Sequence, residues 1–140
     1  MKYVLEKAVR GTIGEQKFKT SIQWRNGTLI TDEPEKLGGK DIGPDPHSLL
    51  LSSLVACTLA TLRMYIDHKK LAIPEITIEA NMAHRINAST GEITTHIDKT
   101  ISYGSTTVDP ERKARLLEIA ERCPISKILK GNITIATTQI

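Results

Sequence analysis

Hydrophobic and polar positions along this 140-residue chain change period several times. Residues 2–9, 17–24 and 28–31 read as short strands, with "RNG" at 25–27 as a hairpin turn, because Asn-Gly accepts positive φ in a two-residue loop. A helix follows, capped by Asp45, with Pro46 in the first helical position and an end near Lys69. Leu50, Leu54, Cys57, Thr61 and Met64 form one stripe of it. Leu49, Leu51, Val55, Leu59 and Leu62 cover much of the rest, so the pattern predicts burial on nearly all sides. One domain of this size surrounds such a helix only with difficulty, and a subunit interface would supply the missing cover.

"ITIEANMAHR" and "EITTHIDKTISY" return to period two. Ile76, Ile78, Ala80, Met82 and His84 share one face of the first strand; Ile93, Ile97 and Ile101 share one face of the second. A second helix starts at Asp109-Pro110, with Leu116, Ile119 and Ala120 inward. A short third helix starts at Cys123-Pro124 and stops at Gly131. "NITIATTQI" reads as a closing strand. The order βββ, α, ββ, αα, β predicts an α+β fold with mainly antiparallel sheet, in a single domain over 1–140.

Composition narrows the function. The chain is 39% hydrophobic and 25% charged, as expected of an ordinary globule, and needs no disulfide or metal to fold. A net charge of +3 with 4% aromatics gives no basic stripe alternating with stacking rings, which argues against a nucleic-acid surface. Glu6 and Lys7 interrupt any signal peptide. The longest uncharged run, 48–62, falls short of the roughly 20 apolar residues of a membrane span. The expectation is a cytoplasmic protein with no membrane partner, where a cysteine pair is more often redox-active or metal-binding than a permanent disulfide.

Neither CxxC nor HxxxH spacing occurs, so no metal site is expected. His84 and His96 lie on neighbouring strands and read as polar groups of a solvated face; His68 reads as a surface group at a helix end. The glycine-rich loop 32–45, "DEPEKLGGKDIGPD", lacks the strand and helix of a phosphate loop, and its length suggests a functional segment. Cys123, at a helix N-terminus beside Arg122, has a setting that lowers a thiol pKa. Cys57 reads either as a small core hydrophobe or as its redox partner.

"GPDPHSLLLSSLVACTLATL" resembles the central-helix signature of the OsmC/Ohr family, the osmotically inducible and organic-hydroperoxide-resistance proteins. "IAERCPISKIL" resembles its second cysteine motif, and the likeness extends through "WRNG", the loop, the helices and the strand pair. The resemblance implies antiparallel sheets wrapped around buried central helices in an intertwined homodimer. It implies a thiol peroxidase in which Cys57 attacks peroxide, Cys123 resolves the product as a disulfide, and Arg25 supports the attacking thiolate. One position departs from the hydroperoxide-resistance branch. That branch carries a glutamate ten residues before the first cysteine, holding the arginine; here the position is His47, and a neutral imidazole forms no bidentate pair with guanidinium. Asp45, Asp41 and Glu33 are the nearby carboxylates left to substitute.

The sequence therefore predicts a cytoplasmic peroxidase that uses no cofactor. The expected substrates are organic peroxides, with hydrogen peroxide as a further one, and the expected reductant is an external dithiol, on a reductant protein or as a lipoyl group. His47, Leu50 and Leu54 are the candidate pocket residues around Cys57. The alternative is a small-molecule-binding or redox-sensing dimer of the same fold with little turnover; a thiol hydrolase is weaker, because no histidine has an assured place beside Cys57.

Overall fold

The structure, a computed structural model, describes residues 1–140. It divides into two compact units, 1–50 and 51–140, with the boundary early in the first helix.

The first unit holds a three-stranded antiparallel sheet, β1 (Arg10–Ile13), β2 (Thr20–Trp24) and β3 (Gly27–Thr31), in the order β1-β2-β3. The strand predicted over 2–9 is absent. Residues before Arg10 form no regular element and are exposed; Tyr3, Val4 and Leu5 have no strand to pair with inside this chain. The β2–β3 hairpin forms, but its loop is Arg25-Asn26 and Trp24 pairs with Gly27. Neither loop residue has positive φ. Gly27 is needed instead because the Trp24 indole lies against it: a Cβ there would fall 2.2 Å from the ring.

The long loop after β3 is knitted together by Asp32, 2% exposed. Its carboxylate accepts the N–H groups of Glu33 (2.8 Å), Lys40 (3.1 Å) and Ile42 (3.5 Å). A 3-10 turn over Glu35–Leu37 starts the loop, and the Asp32 N–H closes it on the Pro44 carbonyl at 3.3 Å. Gly39 passes so near the Glu33 carbonyl that a Cβ would stand 1.9 Å from its oxygen.

Helix α1 (Pro46–His68) begins as expected: Asp45 accepts from the Ser48 N–H at 3.0 Å and the Ser48 hydroxyl at 2.7 Å. It ends on Lys70 in the left-handed region (φ 53°), with the Leu71 N–H reaching back to the Ile66 carbonyl at 3.0 Å. Length and composition alone would let α1 cross a membrane. Its fully buried stripe is Leu54, Thr58, Leu62 and Ile66, not the predicted Leu50-to-Met64 stripe. Met64 is 74% exposed, so burial on nearly all sides is not achieved within one chain.

The second unit pairs β4 (Thr77–Ile86) with β5 (Ile93–Ser102) in one antiparallel hairpin. Helices α2 (Pro110–Ala120) and α3 (Pro124–Lys130) follow, each started by its predicted Asp109 or Cys123 cap and its proline. The core joins Leu62, Ile66, Ile78, Tyr103, Leu116 and Ile119. Full burial of each such leucine or isoleucine contributes about 1.5–3 kcal/mol. The predicted closing strand over 132–140 does not form; those residues are exposed and without a regular element. Two apolar end segments therefore lack strand partners in this chain.

Candidate active site

Two elements of the second unit bring the cysteines together. Cys57 lies midway along α1, and Cys123 caps α3, its sulfur accepting the Ser126 N–H at 3.5 Å. The Cys57 S–H donates to the Cys123 sulfur, and the Ile125 N–H reaches both. Cys123 is 0% exposed, whereas Cys57 keeps part of its surface open. No disulfide joins them.

The two thiols are driven apart in acidity. Burial pushes the Cys57 pKa up, and so does donating its proton to Cys123. Burial also acts to raise the Cys123 pKa, but it is outweighed by hydrogen bonds from Cys57, the Ser126 N–H, Thr58 and the Ile125 N–H, and the result lies below the ordinary thiol value. The pair thus holds one proton firmly and releases the other early, so its two ionisations belong to both residues jointly.

Sequence reasoning missed two neighbours. Thr58 is 0% exposed, and its hydroxyl donates to the Leu54 carbonyl at 2.8 Å. Lys99 reaches in from β5 to donate to the Thr58 oxygen at 3.3 Å. The signal was available in the strand period, since Lys99 shares parity with Ile97 and Ile101, and both the isoleucines and Lys99 are partly buried. A cavity of about 340 Å³ lies beside them, lined among others by Leu54, Lys99, Glu121, Ser126 and Lys130.

The other predicted site residues are placed as follows. Arg25 sits at the β2–β3 turn of the first unit, at the edge of two hollows shared with Lys7, Trp24 and Asn26. The His47 side chain is 71% exposed, and its Nδ1 stands 4.0 Å from Asp45. Leu50 is 41% exposed, whereas Leu54 is buried. His84 and His96 occupy opposite faces of the hairpin, since His84 pairs with Thr95 and Ala83 with His96. His84 instead meets the Thr95 hydroxyl at 3.0 Å, and His96 meets Asp98 at 2.8 Å. No cluster of three or more His, Cys, Asp or Glu side chains is arranged to hold a metal.

A family model described as "OsmC-like protein" matches residues 38–138, a span containing both cysteines. The chain belongs to the OsmC-like family. Solved structures bear out the OsmC-like fold. The OsmC-like protein of Mycoplasma pneumoniae superposes with a TM-score of 0.72 at 20% identity, over 92% of this chain and 90% of that one. An organic hydroperoxide resistance protein from Elizabethkingia anophelis gives 0.65 at 24% identity, over 94% and 93%. The organic hydroperoxide resistance protein OhrB of Bacillus subtilis gives 0.62 at 22% identity, over 89% and 90%. Among curated proteins no sequence matches. The α+β reading and the resemblance to the OsmC-like family are thus both correct.

Proposed function

We propose that this OsmC-like protein is a cytoplasmic thiol peroxidase that reduces organic hydroperoxides in defence against oxidative stress. The observation that carries the reading is the thiol pair: a partly open Cys57 hydrogen-bonded to a fully enclosed, more acidic Cys123. Family relatives named for organic hydroperoxide resistance support it.

Chemistry follows from which sulfur a peroxide can reach. Cys57 is the accessible one, so it is the nucleophile, and Cys123 is the nearest group able to take its proton. The Cys57 thiolate attacks the O–O bond, forms the S–O bond of a sulfenic acid, and expels an alkoxide that leaves as the alcohol with one proton. The Cys123 thiolate then attacks the Cys57 sulfur; water departs and a disulfide forms. An external dithiol, on a reductant protein or as a lipoyl group, returns both thiols and becomes a disulfide itself. Two electrons pass from dithiol to peroxide, and this cycle calls for no metal or bound cofactor. Arg25 is assigned to support the Cys57 thiolate and the charge developing on the peroxide, and His47, Leu50 and Leu54 to its surroundings.

The working form is a homodimer. The unpaired apolar end segments, with Leu5, Val9, Ile133 and Ile135 exposed, and the open side of α1 at Met64 are what a second subunit would cover. The deciding assay is steady-state consumption of cumene hydroperoxide with a dithiol reductant. Turnover that requires both cysteines is expected; one stoichiometric oxidation without turnover would overturn the peroxidase in favour of a sensor.

A further inference from the structure

Burying a thiolate away from water demands hydrogen-bond donors aimed at it. Two of those around Cys123 come from the backbone, at Ser126 and Ile125. Thr58 is the third group besides Cys57, and it is the one that can change its partner. A hydroxyl carries one proton and two lone pairs, and rotates to suit its neighbours. Lys99 fills a lone pair of the Thr58 oxygen from 3.3 Å. The Thr58 proton then has two acceptors within reach, the Leu54 carbonyl at 2.8 Å and the Cys123 sulfur. The Leu54 carbonyl loses little when that proton turns away, because it remains inside helix α1 with the helical bond from the residue four positions on.

We propose that Lys99 and Thr58 form a hydrogen-bond relay that turns onto the Cys123 sulfur when that thiol ionises, and so keeps one thiolate in the reduced pair. Both are positioning residues. A donor whose own oxygen is held by an ammonium is polarised, and its bond to an anion is strengthened. Thr58 and Cys123 are each 0% exposed, so water does not compete for either. This relay deepens the peroxidase reading and rests on it for its purpose, since proton removal from Cys57 and disulfide closure both use the Cys123 thiolate.

Charges around Cys123 come from several elements. Cys57 faces it from α1 and Lys99 approaches from β5. Glu121, at the end of α2, feels both Lys130, its ion-pair partner, and Lys99. Glu121 therefore opposes the field of Lys99, and Lys130 offsets much of that opposition. Arg122 and Lys127 flank Cys123 along the chain and are exposed.

The test follows thiolate absorbance against pH in the fully reduced, full-length protein, without peroxide. Thr58→Val should raise the first ionisation of the pair by about one unit, close to a tenfold loss of thiolate at lower pH. Thr58→Ser keeps the hydroxyl and should restore the wild-type curve. Lys99→Met should shift the curve in the same direction by less, and should add little on top of Thr58→Val, because it acts through that hydroxyl. An unmoved first ionisation in Thr58→Val or in Lys99→Met overturns the relay. So does a Lys99→Met shift that persists in full on the Thr58→Val background, which would mean a direct field. If Thr58→Val does not fold, Lys99→Met and Thr58→Ser decide by the same criteria. A protein that shows these shifts yet turns over no peroxide overturns the peroxidase reading alone.

Discussion

Cys57 donates its S–H to the sulfur of Cys123, and of the two only Cys57 keeps surface open to solvent. Acidity and access are therefore divided between them. The more acidic thiol is the enclosed one, and the less acidic thiol is the one that solvent can reach.

That division sets distinct outcomes for the two serine variants. Cys57→Ser is expected to abolish peroxide consumption. Cys123→Ser should still permit one oxidation, leaving a Cys57 sulfenic acid that dimedone traps and mass spectrometry locates. A Cys123→Ser protein that stays reduced while Cys57→Ser acquires the sulfenic acid would reverse the roles.

In the proposed cycle Arg25 and His47 would bear on the oxidation step alone. Arg25→Ala is expected to slow single-turnover oxidation roughly a hundredfold while leaving disulfide reduction nearly unchanged. His47→Glu, offering a carboxylate where a neutral ring stands, should raise the rate toward organic peroxides several-fold. Equal slowing of both half-reactions by Arg25→Ala, measured in stopped flow, would remove the arginine from this role.

The Asp32 loop should show in acid. Burial tends to raise the Asp32 pKa, but the N–H groups of Glu33, Lys40 and Ile42, with the charge of Lys40, bring it below the ordinary carboxylate value. A depressed native pKa adds stability that is fully present above the unfolded value of about 3.9 and is lost as pH falls through the native one. Asp32→Asn should lower Tm at pH 7 by about 5 °C and flatten the acid limb of the stability curve. An unchanged acid limb would show that other carboxylates control it.

Lys70 holds a left-handed backbone at φ 53° to end α1. Glycine meets that conformation without a Cβ, so Lys70→Gly should stabilise the chain by roughly 0.5–1 kcal/mol after its own entropy cost. Denaturant titration with an unchanged m-value checks it; a fall in midpoint would show that the Lys70 side chain matters more than its backbone.

Local chemistry was legible in the sequence where one residue type had one use. Asp45-Pro46, Asp109-Pro110 and Cys123-Pro124 each announced a helix start, and each starts one. The inward stripe of α2 was equally plain. Where every neighbour is apolar, periodicity loses its phase: the α1 stripe proved to run through Thr58, a polar residue that pattern-reading sends outward. Lys99 was hidden for the same reason, since charge on a strand ordinarily marks the solvent face. Asp32 stands in the sequence as one polar loop residue among many, because the N–H groups that its carboxylate accepts come from residues one to ten positions on and only the folded loop collects them. The end segments have strand-like sequences, but a ladder needs a partner, and this chain provides none for them.

The lone tryptophan gives the hairpin turn a built-in reporter. Trp24 rests on Gly27 and precedes Arg25 directly, while no second indole exists to dilute its emission. Fluorescence from this chain is thus a local signal from the arginine turn, silent about the core unless that turn is disturbed. A ligand, a reductant or a second subunit that touches the turn would announce itself in colour and intensity without any label.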